Sequence, residues 1–178
     1  AFDICPANIV LNQLTRELGE PFDRGGAIAR GGTVSPELLA ALNELPFYRE
    51  TAPKSLGLEW VKAEIFPILR TYEISVEDKI ATFTAHISVQ LAEAFKQLTS
   101  TKNGILVTGG GAYNTYLIAS TQELRQNTLF IPEAKLIEFK EALIFAFMGV
   151  LRLRNTNNVL KCVTGASKDH CAGLLYSP

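Results

Sequence analysis

The chain has 178 residues, 47% hydrophobic and 20% charged, a balance that suits one globular domain with a real core rather than two full domains. Seventeen basic against eighteen acidic residues give a formal charge of -1, and with no basic stripe this argues against duplex nucleic acid and acidic membrane surfaces as partners. The longest apolar run, 142–151, is too short to span a bilayer. Cys5, Cys162 and Cys171 form no C-x-x-C pair, which argues for a reducing compartment and against a disulfide framework or a structural zinc site.

Residues 1–5 read as a short strand, and an apolar strand opening at Ala1 without methionine predicts a piece of a longer protein. Pro6 suits a first helical turn; Val10, Leu11, Leu14 and Leu18 then recur at helical spacing until Gly19. This unit places Asp3 close to a helix N-terminus, where it either caps the helix or serves chemistry. Gly25, Gly26, Gly31 and Gly32 bracket a short segment. Ser35 as N-cap and Pro36 at the first helical position start a helix over 37–45, with Leu38, Leu39 and Leu42 inward. Residues 46–58 read as an ordered surface loop, the kind that often carries function. A helix over 59–69 is expected to end near Pro67. Ser75 and Asp78 resemble a capping box before the longest predicted helix, 76–98, whose flank carries His86 as a solvated or satisfied histidine rather than a ligand.

Residues 105–114 read ILVTGGGAYN. A short β-favouring run enters three glycines, and a helix follows to about Leu124. Strand, glycine turn and helix can cradle a phosphate on backbone N–H groups, or can simply be a tight turn. A strand over 128–131 precedes Pro132. The helix over 136–151 is expected to bury Ala142, Leu143, Ala146, Phe147 and Val150, leaving Glu141 among apolar neighbours, where an acid either has a partner or is held for chemistry. A small-residue turn at 164–166 and a last strand at 172–176 complete the chain. The alternation predicts an α/β domain with a largely parallel or mixed sheet, and ligands in such sheets gather at strand C-termini. Asp3 and Gly109, Gly110 and Gly111 are expected together at that edge.

Several sites are excluded. No G-x-x-x-x-G-K-[ST] occurs, Asn114 stands where a dinucleotide fingerprint wants glycine, and no G-x-S-x-G elbow is present. Asp169, His170 and Cys171 are adjacent, so their side chains diverge and a hydrolase built on them is the weakest reading. A glycine turn with Asp3 and Glu141 leaves the minimum kit for phosphoryl transfer: a cradled nucleotide and a carboxylate that takes a proton from water or a hydroxyl.

These residues also carry a resemblance. F-D-I-C-P-A-N at 2–8, A-P-K-S-L-G at 52–57, V-T-G-G-G-A-Y-N at 107–114, Glu141-Ala142 with Phe145-Ala146, and V-T-G-A at 163–166 follow one another as in one family. Across essentially its whole length the chain resembles the C-terminal half of anhydro-N-acetylmuramic acid kinases, of the sugar kinase/actin/Hsp70 superfamily. The resemblance implies one ribonuclease H-like, actin-like ATPase lobe over 1–178, with a mainly helical section at 33–100. The N-terminal lobe and its phosphate loop would lie upstream. It implies a cytoplasmic enzyme of cell-wall sugar recycling that uses ATP and Mg²⁺. Water opens the 1,6-anhydro ring while O6 is phosphorylated. Asp3 matches the base that activates the water, Gly109, Gly110, Gly111 and Asn114 the adenosine-side motif, and Glu141 an acid that binds the sugar. No metal ligand is assigned. Such kinases tend to dimerise. Ile4, Cys5 and Ala7 depart from the usual F-D-T-G-P-G-N, and Tyr113 stands where His is common. On this reading the chain alone is inactive; the alternative is a non-enzymatic nucleotide-binding or interaction domain derived from the kinase fold.

Overall fold

Apolar spacing and cap chemistry set most elements of the computed structural model, which describes residues 1–98, 104–124 and 128–176. It divides into two compact units, one of Phe2–Pro132 and a smaller one holding Glu133–Pro178.

In the larger unit, α1 (Asn8–Glu17) buries Val10, Leu11 and Leu14 on one face, as its spacing predicts. Asp23 accepts from the Ile28 and Ala29 N–H groups at 2.9 Å each, which satisfies the free donors that open α2 (Ala27–Gly31). Ser35 caps α3 (Pro36–Asn43) by accepting from the Leu38 N–H at 3.3 Å. Residues 46–58 are more structured than a surface loop. Pro46–Arg49 forms a 3₁₀ turn whose Phe47 is buried, because a large ring repays burial more than any other residue of that stretch.

The next helix does not end near Pro67. Leu58–Trp60 (α4) runs through a π-type stretch, Val61–Ile65, into Phe66–Thr71 (α5). Pro67 falls at the start of α5, where its missing N–H is tolerated. The long helix α6 (Val76–Leu98) packs against α1, α2 and α3, with Ile80, Phe83 and Ile87 almost wholly buried. The Ser75 hydroxyl accepts from the Asp78 N–H at 3.0 Å, as the capping pattern predicts.

The sheet is smaller than expected. β1 (Ile105–Leu106) pairs in parallel with β2 (Leu129–Phe130), Ile105 opposite Leu129. Residues 1–5 form no strand: the Asp3 N–H donates to the Lys54 carbonyl at 3.0 Å, one bond where a strand needs a ladder. A 3₁₀ turn, Gly110–Tyr113, leads from the glycines into α7 (Thr115–Glu123), which also packs on α6.

In the smaller unit, α8 (Ala134–Leu153) forms as predicted, but its expected core does not. Ile137 is its one buried residue; Leu143 and Phe147 are each 60% exposed, and Val150 is exposed as well. The apolar composition of this stretch promised burial, yet most of its apolar side chains are exposed. Asn158 ties down the segment beyond α8, donating to the Met148 and Ala172 carbonyls at 3.1 Å and accepting from the Ala172 N–H at 2.7 Å. Gly165, at φ 73°, ends the short α9 (Lys161–Thr164) in the left-handed conformation. Residues 172–176 form no strand; a single antiparallel bridge, Val159 to His170, is the pairing present in this unit among the described residues.

Candidate active site

Asp3 does not cap α1. The cap position is Ala7, which makes no side-chain bond. Instead the Asp3 Oδ2 accepts from the Leu56 N–H at 2.7 Å and from the Ser55 hydroxyl at 3.1 Å. The first motif and the A-P-K-S-L-G loop, separated by about fifty residues of sequence, are therefore fastened to one another. The loop is anchored in turn: Lys54 Nζ donates to the Phe47 carbonyl at 2.8 Å and sits 4.3 Å from the Phe47 ring centroid. Asp3 is exposed and faces a cavity of about 180 Å³ lined also by Cys5, Pro6, Ile9, Leu56 and Val61. Burial pushes the Cys5 thiol up to about 12, against the opposing charge of Lys54, so Cys5 is a neutral wall residue and no nucleophile.

The glycine turn lines a second cavity, of about 270 Å³, with Asn8, Asn12, Phe22, Asp23, Gly25, Tyr113 and Asn114 around Gly110. The two cavities share the first turn of α1, where Asn8 lines one and Ile9 the other. Gly109 has φ 84°, the conformation that demands glycine. Gly111 has no such demand, and a Cβ added there would meet no atom within 4 Å. The chain's own packing thus gives no reason for glycine at 111, whereas the close approach of a ligand would.

Asn114 has a structural task that sequence reasoning did not assign. Its Oδ1 accepts from the Leu117 N–H at 3.0 Å, capping α7. The turn at Arg24–Gly26 leans on the same residue: a Cβ on Gly26 would clash with Asn114 Oδ1, and Thr115 donates its hydroxyl to the Gly25 carbonyl at 3.1 Å. Phe22, Asp23 and Gly25 were not read from sequence as site residues. The signal available was an aspartate before a glycine pair, placed to cap the next helix, with an exposed aromatic beside it.

Glu141 lies on α8 in the smaller unit and is exposed rather than set among buried apolar groups, because Leu143, Ile144 and Phe145 around it are exposed too. Its apolar setting is therefore no reason to expect a strained acid. His170 and Cys171 do not pair: His170 Nδ1 lies 3.3 Å from the Lys168 carbonyl, and Cys171 Sγ accepts from Arg152 at 3.9 Å.

His86 is buried, so of the two expected readings it is the satisfied histidine and not the solvated one. Its Nδ1 bonds Asn43 Oδ1 at 2.7 Å and its Nε2 bonds the Tyr48 hydroxyl at 2.9 Å. The Asn43 oxygen requires a donor at Nδ1, and in the neutral ring Nε2 then accepts from the Tyr48 hydroxyl. Burial lowers the His86 pKa to about 3 and raises that of Tyr48.

The fold class is α/β, mostly helical with a small parallel sheet, and a glycine-lined cavity lies beside the strand-to-helix turn. The family model for anhydro-N-acetylmuramic acid kinase matches residues 1–178, and the chain belongs to that family. Curated relatives of that name include one from Rhodococcus erythropolis, 34% identical over 98% of this chain and 46% of its own length. Others come from Burkholderia lata, 33% identical over 98% of this chain and 48% of the relative, and Paraburkholderia xenovorans, 30% identical over 98% and 50%. The chain spans about half the length of the curated relatives it matches.

Proposed function

We propose that this chain is the C-terminal lobe of an ATP-dependent sugar kinase that acts on anhydro-N-acetylmuramic acid, with the nucleotide held in the glycine cavity and Asp3 as the base. Water adds at the anomeric carbon as its bond to O6 breaks, O6 takes the γ-phosphoryl group, and N-acetylmuramate 6-phosphate and ADP leave. The proton lost by the water goes to Asp3. The observation that carries this reading is the meeting of motifs in one unit: Asn8, from the Asp3 motif, lines the glycine cavity with Gly110 and Asn114.

The cavity suits the adenosine end of a nucleotide. Asn8 and Asn12 offer amides that both donate and accept, Phe22 and Tyr113 offer partly exposed rings for stacking on a base, and Gly110 adds a stretch of wall without a side chain. ATP supplies the phosphoryl group. Among the described residues no group of three or more His, Cys, Asp or Glu side chains converges to hold a metal. Mg²⁺ therefore enters this reading as the companion of the nucleotide phosphates, which is how that ion is commonly held. Glu141 binds the sugar in this reading, and the upstream lobe supplies the remaining phosphate contacts. Dimerisation and a cytoplasmic location follow from the family reading; no helix among the described residues is long and apolar enough to cross a membrane.

The test uses the full-length enzyme. Asp3→Asn is expected to keep ATP binding and lose turnover, and retained turnover would remove Asp3 from the chemistry. Gly111→Ala is expected to leave the fold intact and weaken ATP binding; unchanged affinity would move the nucleotide elsewhere. The 178-residue chain alone is expected to turn over no substrate, and product formation from ATP, Mg²⁺ and the anhydro-sugar would contradict the two-lobe reading.

A further inference from the structure

We propose that Ser55 is a positioning residue for the reaction, acting through the Oδ2 atom of Asp3. The inference rests on the reading of Asp3 as the base and names the group that aims it. Three consecutive residues hold Asp3: the Lys54 carbonyl takes its N–H at 3.0 Å, Ser55 Oγ donates to Oδ2 at 3.1 Å, and the Leu56 N–H donates to the same Oδ2 at 2.7 Å. Oδ1 makes no hydrogen bond to the described residues, so the carboxylate is split by its surroundings into a held oxygen and a free one.

An exposed carboxylate outside any helix or strand otherwise rotates about two side-chain torsions, and a base must present one lone pair to one proton. Two donors converging on Oδ2 fix both torsions and leave Oδ1 as the oxygen that receives the proton. Donors to a charged oxygen are stronger than neutral ones, so even an exposed pair holds the rotamer. The donors are themselves held. Lys54 is tied to the Phe47 carbonyl and ring, and Phe47 packs in the core beside Tyr48 and Trp60. The hydroxyl of Ser55 is the side-chain part of the grip; the other two bonds are backbone and survive its removal. That separation makes the role testable without undoing the fold.

In the full-length enzyme, Ser55→Ala is expected to lower kcat by about tenfold or more, as misaimed catalytic groups do, while KM for ATP stays within about twofold of the parent. Ser55→Thr keeps the hydroxyl and is expected to recover most of the rate. The double variant Asp3→Asn with Ser55→Ala is expected to be no slower than Asp3→Asn alone, since residues acting through one another are not additive. If Asp3→Asn abolishes turnover but Ser55→Ala keeps the parent kcat, the positioning role is wrong and the base reading stands. If Ser55→Thr is as slow as Ser55→Ala, or the double variant is slower than Asp3→Asn, Ser55 does not act through the carboxylate. If Asp3→Asn keeps turnover, the base reading falls and this inference with it.

Discussion

The two long helices, α6 with 23 residues and α8 with 20, are built from much the same apolar residues and meet opposite fates. α6 buries Ile80, Phe83 and Ile87 against α1, α2, α3 and α7, and its buried face also carries Thr82, Thr84, His86 and Ser88. Two of them answer particular neighbours: Thr82 Oγ1 accepts from the Ser35 N–H at 2.9 Å, and His86 lies between Asn43 and Tyr48. α8 carries Phe139, Leu143, Ile144, Phe145, Phe147, Val150 and Leu153 exposed. Composition sets how much apolar surface a helix has to bury, whereas burial depends on what packs over it. Polar residues buried at matched positions record a specific partner; an unbroken apolar run does not.

The comparison is sharpest when one residue type is removed from both helices. Phe83 is fully buried and Phe147 is 60% exposed. In urea titrations of this chain, Phe83→Ala is expected to cost about 3–5 kcal/mol, the usual range for a core phenylalanine. Phe147→Ala is expected to fall within about 0.5 kcal/mol of the parent. Equal losses would mean that α8 is packed in solution. Replacing Leu143 and Phe147 together by Glu is expected to lower binding of an apolar-surface dye without a matching loss of stability.

The second way to press the comparison is pH, because α6 carries a buried titratable group. The His86 pKa is lowered from 6.5 to about 3 by burial. The unfolded chain therefore takes up this proton before the folded one does. Stability from a neutral His86 is complete above pH 6.5 and declines as pH falls towards 3, by up to about 1.4 kcal/mol per pH unit. His86→Gln is expected to flatten that slope in denaturation curves recorded between pH 7 and 4, at some cost in stability at pH 7. A parallel slope in the variant would assign the proton to another group.

What was legible in the sequence follows the same division. α3 and α6 could be read because spacing and caps are local: Ser35, Pro36, Ser75 and the apolar stripe of 76–98 need no distant partner to act. The strands expected at 1–5 and 172–176 could not, since a strand exists only through its neighbour and a short apolar run does not name one. Asp3 was legible as a residue of interest, but not its grip by Ser55 and Leu56, which arises from a loop about fifty positions away. Asn114 was legible as part of a glycine motif, while its bond to the Leu117 N–H shows that it also starts α7. Phe22 and Asp23 carried no periodicity, and only the turn before α2 brings them to the glycine cavity.

Within the glycine turn, a smaller effect separates backbone need from ligand need. Gly109→Ala forces an L-residue to φ 84° and is expected to cost about 1–2 kcal/mol of stability. Gly111→Ala meets no atom within 4 Å and is expected to be neutral or slightly stabilising in the absence of nucleotide. Thermal unfolding of both variants without ligand checks the pair, and a loss at Gly111 as large as that at Gly109 would show that the fold, rather than a ligand, requires that glycine.

The smallest expected effect lies at the start of α6. The Thr33 N–H and the Ser75 hydroxyl hold the Asp78 carboxyl below its usual 3.8, Thr33 contributing more. A carboxyl depressed on folding stabilises the fold above its unfolded pKa and loses that contribution as pH falls through the folded value. The difference between the parent chain and Asp78→Asn should therefore be constant from pH 7 to about 5 and shrink only below 3.8. This is the opposite window from His86, whose contribution already declines below 6.5. Since the two groups sit on one helix eight residues apart, the order in which their slopes appear on acidification separates a surface cap from a buried core residue within α6. A difference at Asp78 that began to shrink near pH 6.5 would mean that the cap is coupled to the protonation of His86 and does not titrate on its own.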